Sequence, residues 1–129
     1  MNQRLALELD KLTAALAVFR ESIDDDESRK ARDSMLLRFV FTFEMTWRSM
    51  KFALAERGLN TPDYAAAVLR AALQAQVITD AQLWEKLREC RNEVSHAYDE
   101  TKAIEIAAYV RQHALLAFVQ VLSKLRSGA

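Results

Sequence analysis

Eight consecutive residues near the end of the chain, residues 91–98, combine side chains of several reactive kinds. We call them the motif segment, and they read Arg-Asn-Glu-Val-Ser-His-Ala-Tyr. Arg91 carries a permanent charge and a planar fork of donors that suits phosphate, and His96 can exchange a proton near neutral pH. The set favours chemistry at a phosphate, although this arginine-histidine spacing alone often arises by chance. Further hydrogen-bonding groups come from Asn92, Ser95 and Tyr98.

Helical geometry limits how these side chains can act together. On one helix, Arg91 and Tyr98 share a face, and Asn92 and His96 share the neighbouring face. Arg91 and His96 lie about 140° apart at 100° per residue, so one unbroken helix does not direct both toward one phosphate. Two alternatives follow: the helix ends within the motif segment, or two copies of the segment face each other across a homodimer.

The composition predicts the elements that must position this segment. The chain has 129 residues, of which 51% are hydrophobic and 28% charged, with only two glycines and one proline. Strong helix formers fill most positions, and so few breakers favour long helices. We therefore predict an all-α fold, an up-and-down bundle of four to five helices, with residues 1–129 forming one domain around one core.

Two long helices are predicted over residues 2–22 and 29–57, separated by an acidic break at residues 24–28. The break is interpreted as a solvated loop that caps the second helix, and Gly58 suits a left-handed cap at its end. Aromatic side chains at helical spacing predict core packing rather than a platform for stacking bases. The apolar stripes are Leu5, Leu9, Leu12, Leu16, Phe19 and Ile23 in the first helix, and Leu36, Phe39, Phe43, Trp47 and Leu54 in the second.

Capping patterns predict where the next two helices begin. Thr61 and Pro62 suit the cap and first position of a third helix, which ends near Gln76. Thr79 and Gln82 match a capping box at the start of a fourth helix, which runs into the motif segment.

A fifth helix, capped by Asp99 or Thr101 and ending near Leu125, is apolar on more than one face. One stripe suffices for a bundle core, so the second must be covered. We expect self-association through it; the alternative is a central helix surrounded by its own chain. This second stripe consists of Ile104, Ala108, Leu115, Phe118, Leu122 and Leu125.

One carboxylate outside the motif segment is a candidate for the same site. Glu44 lies within the apolar stripe of the second helix, next to Phe43. It can pair with Arg48 at the i, i+4 spacing. The alternative is a half-buried carboxylate that orients a catalytic arginine and helps to position substrate.

Charge and cysteine content exclude several classes of function. Lysine plus arginine equals aspartate plus glutamate at 18 each, so the net charge is zero and any RNA must bind at a local site. Cys90 is the only cysteine, which excludes an internal disulfide and fits a reducing compartment; we interpret it as a small apolar helix residue, and His113 as a packing or surface residue. No signal-like stretch and no continuous run of about 18 apolar residues occurs, so we expect a cytoplasmic protein outside the membrane.

The motifs, taken in order, resemble those of a known family. Arg91-x4-His96-x-Tyr98 is similar to the signature of HEPN domains (higher eukaryotes and prokaryotes nucleotide-binding). The wider series resembles the nucleotidyltransferase substrate-binding proteins over about residues 5–125. Val40 and Gln76 depart from it, where a polar residue and a glycine are common. The series is Arg32-Asp33, Arg38-Phe39-Val40-Phe41-Thr42-Phe43-Glu44, Trp47-Arg48, Leu83-Trp84, Arg91-Asn92, Ser95-His96 and Tyr98-Asp99-Glu100.

The resemblance implies a homodimeric helical bundle that acts with a minimal nucleotidyltransferase in a toxin–antitoxin pair. It implies a metal-independent endoribonuclease without a cofactor, in which His96 exchanges a proton with the ribose 2′-hydroxyl and Arg91 stabilises the transition state. Asn92 and Ser95 would position the phosphate or hold His96 in orientation, and Tyr98 would be modified by the partner.

Two other hypotheses remain open from the sequence. The chain can be a non-catalytic subunit whose Arg91 and His96 bind a nucleotide or substrate for the nucleotidyltransferase without cleaving it. It can also be a structural adaptor, in which both residues are replaceable without biochemical effect.

Overall fold

The computed structural model describes residues 1–23 and 28–128, and over these residues the chain is helical, as predicted. It forms an up-and-down bundle in which α1 packs along α2, and α5 packs against both. The shorter α3 and α4 cover the remaining side of the core. The elements in chain order are α1 (Gln3–Ile23), α2 (Arg29–Glu56), α3 (Ala65–Gln74), α4 (Ala81–Glu93), a 3₁₀ turn (Val94–His96) and α5 (Glu100–Arg126).

Aromatic side chains form the centre of the core. The ring of Phe118 on α5 lies 5.9 Å from that of Phe19 on α1 and 6.0 Å from that of Phe39 on α2, measured between centroids. Trp84 of α4 lies 6.1 Å from the same ring. Such offset and tilted contacts stabilise aromatic pairs beyond the burial of their area. The prediction that the aromatic residues at helical spacing in the second helix fill the core is confirmed, since Phe39, Phe43 and Trp47 are buried.

Both ends of α2 follow the predicted capping. Ser28 caps α2, because its side-chain oxygen accepts a hydrogen bond from the backbone N–H of Ala31 at 3.2 Å. Residues 24–27, the rest of the predicted acidic loop, lie outside the described residues. At the other end of α2, Gly58 adopts a φ of +80°, and the N–H of Leu59 bonds to the carbonyl oxygen of Leu54 at 3.0 Å. This is the left-handed cap expected of a glycine.

The predicted start of α3 is wrong. Thr61 does not cap a helix: α3 begins at Ala65, after Tyr64 in an extended conformation. The intervening residues are held in other ways, since the Tyr64 N–H bonds to the Pro62 carbonyl oxygen at 2.9 Å. Asp63 also forms a 3.0 Å ion pair with Lys51 of α2. The ion pair attaches the segment before α3 to the side of α2, and the helix begins only after this segment.

The connection from α3 to α4 also differs from the prediction by one residue. Asp80, not Thr79, caps α4: its carboxylate accepts a hydrogen bond from the Leu83 N–H at 3.0 Å. Before it, Gln76 has a φ of +62°, a left-handed conformation that favours glycine. Glycine is common at the position of Gln76 in the family that the sequence resembles, and the backbone conformation there favours glycine.

The expectation of a surplus apolar face on α5 is largely wrong. Phe118 and Leu125 are buried in the core, and Leu115 and Leu122 pack against it. The broad apolar surface of α5 is explained by α1, α2 and α4, which pack around it. For the half of α5 from Leu115 to Leu125, the alternative of a central helix surrounded by its own chain therefore applies. Ile104 and Ala108, near the start of α5, remain exposed.

By length and composition alone, α5 could cross a membrane, and it is the one helix of the described residues for which this holds. The helix contains no unbroken run of about 18 apolar residues and is apolar only when its residues are averaged. Its buried residues lie in the bundle core, which accounts for much of its apolar character. They are Ala103, Ile106, Ala107, Val110, Ala114, Ala117, Phe118, Val121 and Leu125.

Candidate functional site

The motif segment lies where α4 ends and the chain turns into α5. α4 stops at Glu93, and residues Val94–His96 form one 3₁₀ turn. Asp99 then caps α5, as predicted, by accepting a hydrogen bond from the Lys102 N–H at 3.3 Å. Of the two alternatives drawn from helical geometry, the one in which the helix ends within the segment is therefore observed.

Arg91 is anchored by a carboxylate from α2. Its Nε donates a hydrogen bond to Oε1 of Glu44 at 2.6 Å. The other carboxylate oxygen of Glu44 accepts from the indole Nε1 of buried Trp47 at 2.7 Å. The Glu44 side chain is 25% exposed and that of Arg91 38%. The pair thus combines partial desolvation with two directional bonds to one carboxylate, which fixes the guanidinium plane.

The expected alternative pairing of Glu44 with Arg48 does not occur. The Arg48 guanidinium lies 5.7 Å from the centroid of the Trp47 ring instead. Trp47 and Arg91 occupy the two oxygens of Glu44, and both are closer to the core than the exposed Arg48. The second interpretation of Glu44, a half-buried carboxylate beside the motif arginine, describes its position; its role in positioning substrate stays a prediction.

Two further ion pairs hold the motif segment. Glu93, the last residue of α4, lies 3.3 Å from Nζ of Lys102 in the first turn of α5. Arg32 of α2 donates two hydrogen bonds to the carboxylate of Glu100, at 2.7 and 3.1 Å. The segment is therefore attached to α2 near both of its ends, through Glu44 at one and Arg32 at the other. Twelve positions of α2, about 18 Å of helix, separate these two anchors.

The pairing of Arg32 with Glu100 was not found from the sequence. Arg32 is only 5% exposed, and its hydrogen bonds hold the pKa of the Glu100 carboxyl below its usual value. Both residues belong to the motif series, but 68 positions separate them. No local spacing links them, because the contact exists only when the starts of α2 and α5 are side by side.

The proposed chemical groups of the motif segment face solvent. His96 is exposed, and its ring lies 6.3 Å from that of Tyr98, which is 87% exposed. Asn92 and Ser95 are exposed as well, and the Ser95 hydroxyl donates to the Asn92 carbonyl oxygen at 3.2 Å. In residues 1–23 and 28–128, no recorded hydrogen bond orients the His96 imidazole. Ser95 bonds to the backbone, and not to His96.

By ideal helix geometry, the 3₁₀ turn does not bring Arg91 and His96 to one side of the chain. It advances about 120° per residue, against about 100° in an α-helix. With three steps of the tighter turn, the two side chains leave the helix axis roughly 160° apart. The end of the helix within the motif segment therefore does not by itself direct Arg91 and His96 toward one phosphate.

The remaining candidate groups near the site have structural positions. Cys90 is buried, and burial raises the pKa of its thiol, which disfavours the nucleophilic thiolate. His113 packs its ring 4.4 Å from that of Tyr109. These findings agree with the prediction that both are packing residues. Across the described part of the chain, no group of three or more His, Cys, Asp or Glu side chains is arranged to hold a metal ion.

The matching family model covers residues 7–127 and describes proteins like the nucleotidyltransferase substrate-binding protein. The chain belongs to this family. The match includes α2, α4 and the whole motif segment, together with both anchors on α2. The region that matches the nucleotidyltransferase substrate-binding family therefore contains the elements that form the site.

Two solved structures agree with this fold. The chain is similar to a Thermus thermophilus protein of known crystal structure, with a TM-score of 0.82 and 29% identity over 89% of this chain and 98% of the other. It also resembles a Haemophilus influenzae protein whose structure reveals the fold of a substrate-binding domain of a nucleotidyltransferase. For that protein the TM-score is 0.76 and the identity 28%, over 92% of this chain and 98% of the other.

A curated relative carries an enzymatic name. The chain is 35% identical over 77 residues to the probable ribonuclease HepT of Haemophilus influenzae. This match covers 57% of the chain and 53% of the relative, so it spans about half the length of that protein.

Proposed function

We propose that this protein is a HEPN-type, metal-independent endoribonuclease that acts as a homodimer and is neutralised by a minimal nucleotidyltransferase. The family relationship, the resemblance of the motif segment to the HEPN signature and the ribonuclease name of one relative support the proposal. The observation that carries it is the anchoring of Arg91 by Glu44, five positions before the exposed imidazole of His96. We place this activity in the cytoplasm, where RNA is abundant.

The anchored guanidinium suits the stabilisation of a phosphorane-like transition state. Glu44 engages Arg91 through Nε, which leaves the two terminal amines as the donors for a phosphate. Because Trp47 holds the same carboxylate, the guanidinium needs little reorganisation when substrate arrives. Preorganised donors of this kind contribute more to catalysis than mobile ones.

His96 supplies the proton transfer in this mechanism. As a general base it removes the proton of the ribose 2′-hydroxyl, whose oxygen attacks the adjacent phosphorus. The leaving 5′-oxygen takes up a proton from a general acid, and the products are a 2′,3′-cyclic phosphate and a 5′-hydroxyl. Asn92 and Ser95, exposed on the same turn, position the phosphate or hold His96. No metal ion takes part in either transfer.

A second copy of the chain completes the proposed site. Within one chain, Arg91 and His96 leave the axis roughly 160° apart, and nothing recorded in the described residues orients the imidazole. A catalytic base normally needs a group that fixes its orientation. Two motif segments facing each other would place the arginine of one copy near the histidine of the other.

Tyr98 is the proposed target of the nucleotidyltransferase. Its hydroxyl is accessible in the chain, since the residue is 87% exposed, and its ring lies close to that of His96. Transfer of a nucleotide to this oxygen adds a negative phosphate beside the imidazole. The added group would block the phosphodiester from the site by charge and by volume.

Cleavage of RNA by the purified protein tests this proposal. Labelled RNA is incubated with the protein in EDTA, and the ends of the fragments are identified by mass spectrometry. We expect cyclic phosphate ends, a loss of roughly 10²–10⁴-fold in rate for His96→Ala, and a comparable loss for Arg91→Ala. His113→Ala serves as the matched control and should cleave normally. Intact RNA after incubation with the unmodified wild-type protein would refute the ribonuclease.

A non-catalytic binding subunit is the second candidate function. The unoriented imidazole of His96 favours it, as does the related structure that reveals a nucleotidyltransferase substrate-binding domain. Arg91 and His96 would then hold a nucleotide or substrate for the partner enzyme. Calorimetry with nucleoside triphosphates, with and without the nucleotidyltransferase, distinguishes the two candidates: binding that depends on Arg91 without any RNA cleavage supports the subunit.

A further inference from the structure

A groove with three arginines opens beside the motif segment, between the start of α2 and the exposed side of α5. We call it the arginine groove; it has a volume of about 590 Å³, within the range of about 300–1,000 Å³ for ligand sites. Along α5 it extends from Glu100 to Gln112, about 18 Å of helix. Its lining residues are Arg29, Arg32, Glu100, Ile104, Ala108, Arg111 and Gln112.

The arginine groove carries a net positive charge in a protein with no net charge. Among the described residues that line it, three arginines stand against one glutamate, Glu100, which accepts two hydrogen bonds from Arg32, and Asp33 lies 3.5 Å from Nε of Arg32. The first turns of α2 and α5 also lie here, and helix N-termini add partial positive charge. Anions are therefore attracted to this surface.

Two of the arginines are available for a ligand. Arg29 has a 74% exposed side chain and only a 3.4 Å ion pair with Glu100. The Nε of Arg111 is buried and has no hydrogen-bond partner in the described part of the chain, so this donor of the guanidinium is unsatisfied. Their terminal amines can bind phosphate oxygens in the bidentate way that arginine favours.

The groove also presents apolar side chains between its arginines. Ile104 is 54% exposed and Ala108 is exposed beside it. A groove that combines cationic and apolar side chains fits a single nucleic acid strand, with its phosphates at the arginines and its sugars and bases against the apolar residues. The groove has no aromatic side chain among its lining residues, so charge rather than base stacking should dominate binding.

From these observations we propose that the arginine groove binds the phosphodiester backbone of single-stranded RNA next to the cleaved bond. Glu100 begins the groove four residues after His96, so a strand that leaves the motif segment can enter it directly. This inference rests on the proposed function for the identity of its ligand. It assigns to Arg29 and Arg111 a binding role that neither the motif segment nor the family resemblance gives them.

Fluorescence anisotropy with a fluorescein-labelled 2′-O-methyl 12-nucleotide RNA tests the arginine groove. The modified RNA cannot be cleaved, and His96→Ala protein removes any remaining turnover. For a single strand, each phosphate contact contributes about 0.7 to the slope of log affinity against log salt, or about fourfold in affinity at 0.15 M salt. Arg29→Gln with Arg111→Gln should therefore weaken binding about 15-fold at that salt concentration and lower the slope by about 1.4.

Matched controls separate the groove from general charge effects. Arg70→Gln removes an exposed arginine of α3, outside the groove, and should lower the slope by less than half as much as the double variant. Arg29→Gln alone changes a mostly exposed side chain and keeps the test valid if Arg111→Gln perturbs folding, as judged by circular dichroism. An unchanged slope in both variants, or no binding by the parent protein, would overturn the inference.

The outcome also separates this inference from the proposed ribonuclease. RNA that is cleaved normally but bound equally well by the double variant contradicts the arginine groove and leaves the ribonuclease in place. RNA that is bound through Arg29 and Arg111 but never cleaved supports the groove and contradicts the enzyme. Sedimentation of each variant is the last check. If a variant dissociates into monomers and also loses RNA binding, the groove is a subunit contact, and the proposal is refuted.

Discussion

The carboxylate of Glu44 on α2 lies 2.6 Å from Nε of Arg91 on α4, across 47 positions of sequence. Trp47, one turn after Glu44, donates its indole N–H to the same carboxylate. A core residue thereby fixes the acceptor, and the acceptor fixes the motif arginine. The packing of α4 on α2 therefore determines how the guanidinium of Arg91 is oriented.

Glu44→Gln should reduce RNA cleavage by about tenfold in kcat, with little change in KM. The neutral amide loses the charge-assisted bond to Arg91, and a loss of about 1.4 kcal/mol in the transition state corresponds to a factor of about ten. Steady-state kinetics with a short fluorogenic RNA measures the effect.

A double-variant cycle provides the control for Glu44. If Glu44 acts through Arg91, Glu44→Gln adds no further loss in an Arg91→Ala background. Glu105→Gln, at an exposed position of α5, should leave kcat unchanged. Independent, additive losses in the cycle would contradict the positioning role.

The ion pair of Arg32 and Glu100 should make stability depend on acid pH. Hydrogen bonding to Arg32 lowers the pKa of Glu100 below 4.5 in the folded chain. A carboxyl with a lowered folded pKa contributes its stability above its unfolded pKa and loses it as the pH falls through the folded value. Thermal melts from pH 7 to pH 2.5 should show Glu100→Gln less stable than wild type at neutral pH, with the difference closing below about pH 4.5.

The same pH series with Glu105→Gln gives the comparison for Glu100. This exposed glutamate of α5 has no recorded ion pair in the described residues, so its Tm should follow that of the wild type at every pH. A constant Tm difference between wild type and Glu100→Gln, continuing to pH 2.5, would exclude a stabilising role for the ionised carboxylate.

Tyr98→Phe should abolish modification by the nucleotidyltransferase without changing stability. The side chain is almost fully exposed, and surface substitutions of this kind change the free energy of unfolding by less than about 0.5 kcal/mol. Intact-mass spectrometry after incubation with the partner and a nucleoside triphosphate measures the modification. Tyr64, another exposed tyrosine, gives the control Tyr64→Phe, which should still be modified; transfer to the Tyr98→Phe protein would show that the target is elsewhere.

Gln76→Gly should stabilise the protein by about 0.5–1 kcal/mol. Gln76 holds a φ of +62°, which costs a residue with a side chain roughly 1–2 kcal/mol, and the greater flexibility of unfolded glycine offsets part of the gain. Urea unfolding followed by circular dichroism measures the change. Gln74→Gly, in the last turn of α3, should instead destabilise by about 0.5–1 kcal/mol, and a loss of stability in Gln76→Gly would contradict this account.

The sequence by itself predicted the helices whose apolar residues recur at helical spacing. The stripe of α1, the limits of α2 and the cap at Asp99 follow from local spacing, because an α-helix repeats every 3.6 residues and its ends need specific hydrogen-bond partners. The starts of α3 and α4 were less well predicted. Thr61 and Asp80 show the reason: several residues in a turn can cap, and before α3 the ion pair of Asp63 with Lys51 of α2 also holds the chain.

The sequence also determined which residues belong to the candidate site, since Arg91, Asn92, Ser95, His96 and Tyr98 lie within eight consecutive positions. Only the tertiary structure decided what holds them. The choice of Arg91 over Arg48 as the partner of Glu44, and the pairing of Arg32 with Glu100, depend on helices that are distant in sequence. A local pattern records the spacing within one helix, whereas the side chain opposite a carboxylate is set by how two helices pack.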